Sequence, residues 1–292
     1  MKIVIMASPT YDSIGGVSTH VYMLEDGLRK LGNDVIIISS DINKYYKFFV
    51  IDVPGYIIKK FNVILKHRYC NMMQNFYYFV VTLIKCRKID VLNIQGVIYS
   101  DIAMVIKKHF KCKVILTVHG YITYEMEQAY AFINNEKLKN YYWNLECSGY
   151  KKADKVVVVG SKLLRFVEKF TNKRCYLIYN GINSDKFVNT GIERENSFNI
   201  LFTAVFKPHK GLMDSIIATE KLLNRGYNVK LYIAGSGVEE DRALNYIKDK
   251  NLNLSIILLG RIDKSKMKDF YSKGDVVLCP SKTIIEKDGE EP

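Results

Sequence analysis

The chain has 292 residues, of which 48% are hydrophobic and 25% are charged, and its formal net charge is +13. This composition excludes a disordered or fibrous protein, and the length allows two domains, each with its own core. No N-terminal segment has the features of a secretory signal. The longest uncharged stretch of the middle region, residues 69–84, is too short and too polar to favour a membrane span.

Short apolar runs alternate with longer amphipathic stretches over residues 1–180, which predicts βαβ units and a parallel sheet in an N-terminal Rossmann-like domain. Most of the runs lack polar alternation, as expected for strands buried on both faces. The predicted strands are residues 2–7, 34–39, 90–94, 113–118, 155–159 and 175–178. The predicted helices are residues 17–31, 57–86, 100–110, 124–152 and 161–170.

Residues 181–197 contain Asn-Thr-Gly and mixed charges, which predict a linker or hinge. The alternation then resumes and predicts a second Rossmann-like domain over residues 198–292. Its strands are expected at 198–204, 229–234, 255–259 and 275–279, and its helices at 212–225, 239–250 and 264–272. The acidic stretch 286–292 follows where further helix is needed to cover the sheet. We therefore expect this domain to be incomplete and the sequence to be truncated.

Residues 44–88 carry much of the positive charge. They include nine basic side chains and a single acidic one, a net charge of +8, interleaved with eleven tyrosines and phenylalanines. Such a face suits an anionic membrane surface, where aromatic rings lie at the depth of the headgroups. Two alternatives are a solvated basic face over buried aromatics and a site for nucleic acid, although no recognition motif for nucleic acid accompanies the charge.

The six cysteines lie far apart and form no C-x-x-C pair, so we interpret them as reduced thiols of a cytosolic protein without a metal site. The first strand is followed by a turn that ends in Gly15-Gly16. Glycines at a helix start let a ligand approach backbone N–H groups, where the helix dipole favours anions. A tight structural turn is the alternative, and the absence of G-x-G-x-x-G disfavours NAD.

Further candidate residues follow strands at their carboxyl ends, where open α/β sheets bind ligands. His119 follows strand 113–118 and is able to donate a hydrogen bond to a substrate, although a structural role is equally open. Lys210-Gly211 opens the helix at 212 and is a candidate diphosphate clamp, with Lys207 assisting. Solvated loop lysines are the alternative. The turns at Gly235-Ser236-Gly237 and Gly260-Arg261 follow the next two strands.

Several segments together resemble the retaining family-4 glycosyltransferases of the GT-B fold, in which two Rossmann-like domains face a cleft. GGVSTHVYMLEDGLRKLGNDV resembles the opening glycine loop, helix and second strand of that family, and VILTVHG resembles the strand with its active-site histidine. IYNGINSDKF resembles the entry to the hinge, and FKPHKGLMDSIIATEKL and LYIAGSG resemble the K-G helix start and the next turn. DVVLCPS, which contains Ser281, resembles the P-S segment before an E-x7-E motif.

The resemblance implies transfer of a sugar from a nucleotide diphosphate with retention of anomeric configuration. Gly15 and Gly16 would then face the donor phosphates and the acceptor, and His119 would contact the donor sugar. Lys210 would stabilise the leaving diphosphate, and Glu291 would be the first glutamate of E-x7-E. Val205 stands where the family usually has an arginine.

For the remaining donor contacts we expect Lys207 or Arg261 to replace the family's arginine, and Glu286 and Glu290 are alternative registers for Glu291. The partner of Glu291, eight residues later, falls beyond Pro292, so we expect residues 1–292 by themselves to be inactive. The resemblance implies no cofactor besides the donor substrate and no metal, and the lack of a recognition motif leads us to expect no nucleic acid partner. The turn glycines and Ser281 complete the expected donor contacts: Gly211, Gly235, Gly237 and Ser281.

We expect a cytoplasmic enzyme, at the inner face of the cell membrane if the 44–88 region docks there, that builds a polysaccharide or glycolipid. A truncated family member that only docks on membrane or binds a ligand is the alternative. A different GT-B enzyme, such as an epimerase or an inverting transferase, is disfavoured by the K-G turn and the P-S segment.

Overall fold

The computed structural model describes residues 1–7, 15–39, 42–128, 135–184 and 197–282. The chain divides into two compact units, with the boundary between Ile182 and Asn183. In both units parallel strands alternate with helices, so the predicted α/β class is confirmed.

The first unit is built on a parallel sheet with the strands β1 (Lys2–Ala7), β2 (Asp34–Ser39), β3 (Val91–Ile94), β4 (Lys113–Val118), β5 (Lys155–Val158) and β6 (Cys175–Leu177). Their order in the sheet is β2-β1-β3-β4-β5-β6. Val4, Ile5 and Met6 of β1 have no exposed surface. Burial of each such side chain contributes about 2 kcal/mol, which explains why this inner strand is a continuous apolar run without alternation.

The helices of the first unit are α1 (Gly16–Lys30), α2 (Lys44–Tyr46), α3 (Val53–Lys59), α4 (Val63–Lys85), α5 (Ser100–Phe110), α6 (Ile122–Gln128), α7 (Glu136–Lys152) and α8 (Ser161–Glu168). A π-helical stretch, Lys47–Asp52, joins α2 to α3 without a break. The largest core cluster includes Tyr78 of α4, Ile106 of α5, Tyr150 of α7 and Val167 of α8, together with strands β3, β4 and β5.

The second unit has a parallel sheet of β7 (Phe198–Val205), β8 (Val229–Ser236), β9 (Ile256–Gly260) and β10 (Val276–Leu278). The strand order is β10-β7-β8-β9. Its helices are α9 (Leu212–Asn224), α10 (Glu240–Asp249) and α11 (Met267–Ser272). Phe202, Leu212, Ile216 and Leu231 are buried in the core between this sheet and α9.

Two predicted helices are wrong in their continuity. The helix expected at 57–86 is interrupted at 60–62, because Asn62 has an extended backbone and its side chain caps α4 by accepting a hydrogen bond from the N–H of Leu65 at 3.0 Å. The helix expected at 124–152 is not continuous, since Asn135 has a non-helical backbone and caps α7 in the same way. The helical stretch from Lys44 to Asp52 was not expected.

Most of the predicted linker, from 185 to 196, and the acidic stretch 286–292 lie outside the described residues. In the described ranges no helix has both the length and the apolar character needed to cross a bilayer. All six cysteines have free thiols, and three of them are buried: Cys86, Cys112 and Cys175.

Candidate functional site

The carboxyl edge of the first sheet brings together residues that follow three neighbouring strands. Gln95 follows β3 and His119 follows β4, and α1 comes after the turn that leaves β1. Because β2 lies on one side of β1 and β3 on the other, the connections diverge between β1 and β3. This topological switch point is where open α/β sheets bind ligands.

The N-terminus of α1 lies at this edge with its first turn open. Gly15 is the N-cap residue, and no side chain caps the helix. Its backbone is extended, with φ of 171°, and a Cβ added to Gly15 or Gly16 would meet nothing within 4 Å among the described residues. Among the described residues, packing therefore does not require the two glycines, and Gly15 has no side chain with which to cap the helix.

His119 ends a chain of hydrogen bonds along this edge. Its Nε2 lies 2.6 Å from Oε1 of the buried Gln95, and Gln95 Nε2 donates to Oδ1 of Asn93 at 2.7 Å. Asn93 Oδ1 also accepts from the hydroxyl of Thr117. Since Gln95 presents its oxygen to the imidazole, Nε2 of His119 donates the hydrogen bond, and Nδ1 of the neutral ring is an acceptor.

His20 of α1 packs against His119 with the ring centroids 4.8 Å apart in an edge-to-face arrangement. Burial lowers the pKa of His119 to about 4, and the charge of His20 opposes protonation further. Burial also lowers the pKa of His20, against a raising effect of a hydrogen bond with Asn180. Both imidazoles are consequently neutral near pH 7, and the pair offers hydrogen-bonding groups without charge.

Three of these residues were not predicted: His20, Asn93 and Gln95. The only sequence signal for His20 is its place one helical turn after the glycine pair. Asn93 and Gln95 flank the end of a predicted apolar strand, where polar side chains at the carboxyl edge are candidates by the same rule that selected His119.

In the second unit, four loops meet at the carboxyl edge of the sheet. They follow β10, β7, β8 and β9, which are neighbours in that order, and they carry the predicted residues of the donor site. A 3-10 turn, Pro208–Lys210, leads from β7 to α9; Lys207 precedes it and is exposed, and Lys210 ends it and is half-buried. The same edge carries Gly211, Gly235, Gly237, Arg261 and Ser281.

Gly211 fixes the geometry of the β7–α9 turn. Its φ of 77° lies in the left-handed region, and an added Cβ would be 2.4 Å from the carbonyl oxygen of Pro280. The N–H of Lys282 donates to the carbonyl of His209 at 2.8 Å, and the Lys282 ammonium pairs with Asp214 in the first turn of α9. The loop after β10 is thereby held against the start of α9, whose N-cap carries no side-chain cap.

Gly235 and Gly237 serve the packing of the turn after β7. A Cβ at Gly235 would be 1.9 Å from the carbonyl oxygen of Ala204, and one at Gly237 would be 2.7 Å from the N of Phe206. Phe206 is buried, and its N–H donates to the carbonyl of Ser236 at 2.9 Å. Both glycines therefore allow two backbones to approach each other, which explains their presence without a ligand.

The second edge carries several cationic side chains. Arg261 donates from Nε to the hydroxyl of Ser236 at 2.6 Å, which ties the loop after β9 to the end of β8. The pKa of His209 is lowered by burial and by the neighbouring Lys210 and Lys207. Lys207, Lys210 and Arg261 thus lie in loops at the same edge as the N-terminus of α9, and cationic side chains at such an edge are suited to phosphate groups.

The remaining predicted residue of the site, Glu291, lies outside the described residues, as do its alternatives Glu286 and Glu290. Val205 is half exposed at the end of β7. In the part of the chain that the structure describes, no three side chains of His, Cys, Asp or Glu are grouped as a metal site would require.

The model of the family described as Glycosyltransferase Family 4 matches residues 14–186, more than half of the chain. The chain belongs to glycosyltransferase family 4. A second model, Glycosyl transferases group 1, matches residues 183–291, so the two family regions meet close to the boundary between the compact units.

Two curated relatives illustrate the membership. An uncharacterized glycosyltransferase of Methanocaldococcus jannaschii is 26% identical over 282 residues, which cover 96% of this chain and 72% of that protein. The O-antigen biosynthesis glycosyltransferase WclY of Escherichia coli is 24% identical over 208 residues, covering 68% of this chain. The match spans little more than half of WclY, 56% of its length.

Solved structures with the same fold include sucrose-phosphate synthase from Thermosynechococcus elongatus, with a TM-score of 0.66, 14% identity and coverage of 96% of this chain and 75% of that one. HepE from Anabaena in complex with UDP and glucose has a TM-score of 0.59 and 13% identity, covering 98% of this chain and 75% of that chain. These neighbours confirm the two-domain GT-B fold predicted from the sequence.

Proposed function

We propose that this chain is a retaining glycosyltransferase that moves a sugar from a nucleotide-diphosphate donor to a glycan or lipid-linked acceptor. The observation that carries the proposal is the carboxyl edge of the second unit, where the loops with Lys207, Lys210 and Arg261 lie at the same edge as the start of α9, which has no side-chain cap at Gly211. Family membership gives this edge its expected ligand, the donor diphosphate.

The donor diphosphate is held at the edge by two kinds of group. The first-turn N–H groups of α9 and the Lys210 ammonium converge on one phosphate. This chain has Val205 where the family usually has an arginine, and Lys207 or Arg261 takes the place of that arginine. Charge-assisted hydrogen bonds of this kind contribute about 1.5–3 kcal/mol each. They are also worth most when charge develops on the leaving phosphate, so they favour the transition state over the bound donor.

The first unit supplies neutral groups for sugar and acceptor. Nδ1 of His119 accepts a hydrogen bond from a sugar hydroxyl, while Gln95 holds the ring in the tautomer that leaves Nδ1 free. By the family resemblance, Gly15-Gly16 at the start of α1 would face the donor phosphates and the acceptor, and Glu291 would contact the transferred sugar. The nucleotide sugar is a substrate, and the mechanism uses no further cofactor and no metal.

The setting we propose is the synthesis of cell-surface polysaccharide or glycolipid by a cytoplasmic enzyme at the inner face of the membrane. Its support is the name of the relative WclY, a glycosyltransferase of O-antigen biosynthesis. The complexes of HepE with UDP and UDP-glucose support a nucleotide-sugar donor.

Donor binding is tested by titrating the purified chain with UDP, ADP and GDP in a calorimeter. At least one nucleoside diphosphate is expected to bind, and Lys210→Ala should weaken it by about 10- to 100-fold, the loss of one charge-assisted contact. Lys221→Ala, an exposed lysine in the second half of α9, is the matched control and should bind as the parent does. Absence of binding by all three nucleotides, or equal loss in both variants, would contradict the donor site.

The role of the glutamates is tested by comparing Glu291→Gln with Glu286→Gln and Glu290→Gln in binding of the intact nucleotide sugar. Only Glu291→Gln should weaken the sugar donor while leaving the nucleoside diphosphate unaffected. Retention is tested separately by the anomeric coupling of the transferred sugar in the product NMR spectrum. A product of inverted configuration would overturn retention and leave the donor site standing.

A further inference from the structure

The segment 44–61 forms an arm of a helical hairpin with α4. Its inner face packs along α4: Tyr46 donates from its hydroxyl to the carbonyl of Met73 at 2.9 Å, and Tyr69 of α4 donates to the carbonyl of Val50 at 2.7 Å. Gly55 approaches α4 so closely that a Cβ would lie 2.9 Å from Sγ of a cysteine there. These contacts orient the arm, so that its opposite face is exposed.

The outward face of the arm is apolar to an extent unusual for a surface. Seven large apolar side chains are between 40% and 85% exposed: Tyr45, Phe48, Phe49, Val53, Tyr56, Ile57 and Phe61. They follow one another at the three- and four-residue spacing of a helix face. A contiguous patch of this kind marks an interaction surface, whereas isolated exposed apolar residues do not.

Basic side chains border the patch at both ends. Lys44 and Lys47 lie at its start, and Lys59 and Lys60 at its end, while Asp52 is the single acid of the arm. The ammonium of Lys44 lies 5.2 Å from the ring centroid of Tyr45, and a second lysine–tyrosine pair at the other end has the same arrangement. Aromatic rings and cations thus occupy the same rim, as they do where a protein meets lipid headgroups.

The hairpin tip lies on the side of the sheet that carries His119. Helix α4 leads into β3, which starts at the amino edge, so the opposite end of α4, at Val63, points toward the carboxyl edge. Its 23 residues are about 34 Å long, whereas a strand of six residues spans about 20 Å. The tip at Phe61 therefore extends past the sheet on the side of the candidate site.

We propose that the outward face of residues 44–61 docks the protein on an anionic phospholipid membrane. The aromatic and aliphatic side chains enter the headgroup region, and the lysines pair with lipid phosphates. A second copy of the chain is disfavoured because two faces of the same positive sign repel each other. Nucleic acid is disfavoured because Val53 and Ile57 offer it no favourable contact.

Co-sedimentation with vesicles tests this surface, with phosphatidylcholine alone compared with a three-to-one mixture of phosphatidylcholine and phosphatidylglycerol. Binding is expected only to the anionic vesicles and should fall as salt is raised. Replacing Lys44 and Lys47 by Gln should weaken it by about 25-fold, about fivefold for each lysine. The matched control, Lys221→Gln with Lys248→Gln on exposed positions of the second unit, should leave binding unchanged.

The apolar contribution is tested by the double change Phe48→Ser and Phe49→Ser, which should reduce binding to anionic vesicles by about tenfold or more. Val238→Ser with Leu254→Ser removes two side chains that are even more exposed, in the second unit, and should have no effect. Equal binding to neutral and anionic vesicles, or equal losses in the two double variants, would overturn the proposal. A dimer in analytical ultracentrifugation that dissociates when Phe48 and Phe49 are changed would also overturn the proposal. The same holds if neither salt nor these substitutions reduce vesicle binding.

Discussion

Replacing Gly211 by Ala should destabilise the second unit through two separable effects. The left-handed backbone at φ of 77° costs an alanine about 1–2 kcal/mol. The added methyl group also meets the backbone oxygen of Pro280 at 2.4 Å, and relief of such overlap costs about 1–3 kcal/mol. The expected total is about 2–5 kcal/mol, a large part of the stability of a unit of this size.

Gly226→Ala separates the two effects. Gly226 has nearly the same backbone, with φ of 82°, and nothing within 4 Å of an added Cβ, so only the backbone cost of about 1–2 kcal/mol remains. Urea unfolding followed by hydrogen exchange of peptides from β7 and α9 measures the second unit by itself, which matters because two units need not unfold together. Equal losses in the two variants would refute the argument that contact with Pro280 holds the site together.

Three further predictions concern the first unit. Burial lowers the pKa of His119 from 6.5 to about 4, so the free energy of unfolding is highest above pH 6.5 and falls by about 3 kcal/mol as the pH is lowered toward 4. His119→Gln should remove this part of the pH dependence of stability. An NMR titration midpoint of His119 near 6.5 would contradict the prediction. The buried carboxylate of Glu146 accepts four hydrogen bonds, one of them from the hydroxyl of Tyr150. In urea unfolding, Glu146→Ala should lower the free energy of unfolding by about 3–5 kcal/mol and Tyr150→Phe by about 1–2 kcal/mol. Equal losses would show that the other three hydrogen bonds do not contribute to stability. Asn62→Ala removes the cap of α4 and should cost about 1 kcal/mol, visible as faster hydrogen exchange in the first turn of α4; unchanged exchange there would show that the cap contributes nothing.

The strands could be predicted closely because burial on both faces leaves a simple signal. The observed bounds of β1, β2 and β4 coincide with the predicted ones, and the other strands of the first unit differ by a residue. An apolar run between polar residues has the length of the strand it forms, since exposure begins where the sheet ends.

Helix ends were harder, because a cap is a single residue within a periodic pattern. Asn62 and Asn135 each stop a helical pattern and start a new helix by bonding a backbone N–H three residues on. Both are standard N-cap residues, so the sequence contained the signal. The helical stretch from Lys44 to Asp52 was not predicted for another reason. Its outward face is apolar, so the usual contrast between a buried apolar face and an exposed polar face is absent.

The site was predicted in outline because chain position relative to a strand end is readable. His119 and Lys210 lie where the carboxyl-edge rule expects them. Gln95 and His20 belong to the site only through contacts between distant segments, 24 residues apart for Gln95 and His119. For Gly235 and Gly237 the sequence does not separate donor contact from packing, since close packing around Phe206 by itself accounts for two glycines there.

The two carboxyl edges share one design and differ in charge. Each places an uncapped helix start at a topological switch point of a parallel sheet: α1 beside β1 and β3 in the first unit, and α9 beside β7 and β10 in the second. At the first edge the imidazole of His119 is kept unprotonated by burial. At the second edge Lys207 and Lys210 supply cationic groups. A pyrophosphate gains most from the second environment and a sugar hydroxyl from the first, which supports the proposal that Lys210 and the start of α9 bind the donor diphosphate while His119 recognises a hydroxyl group.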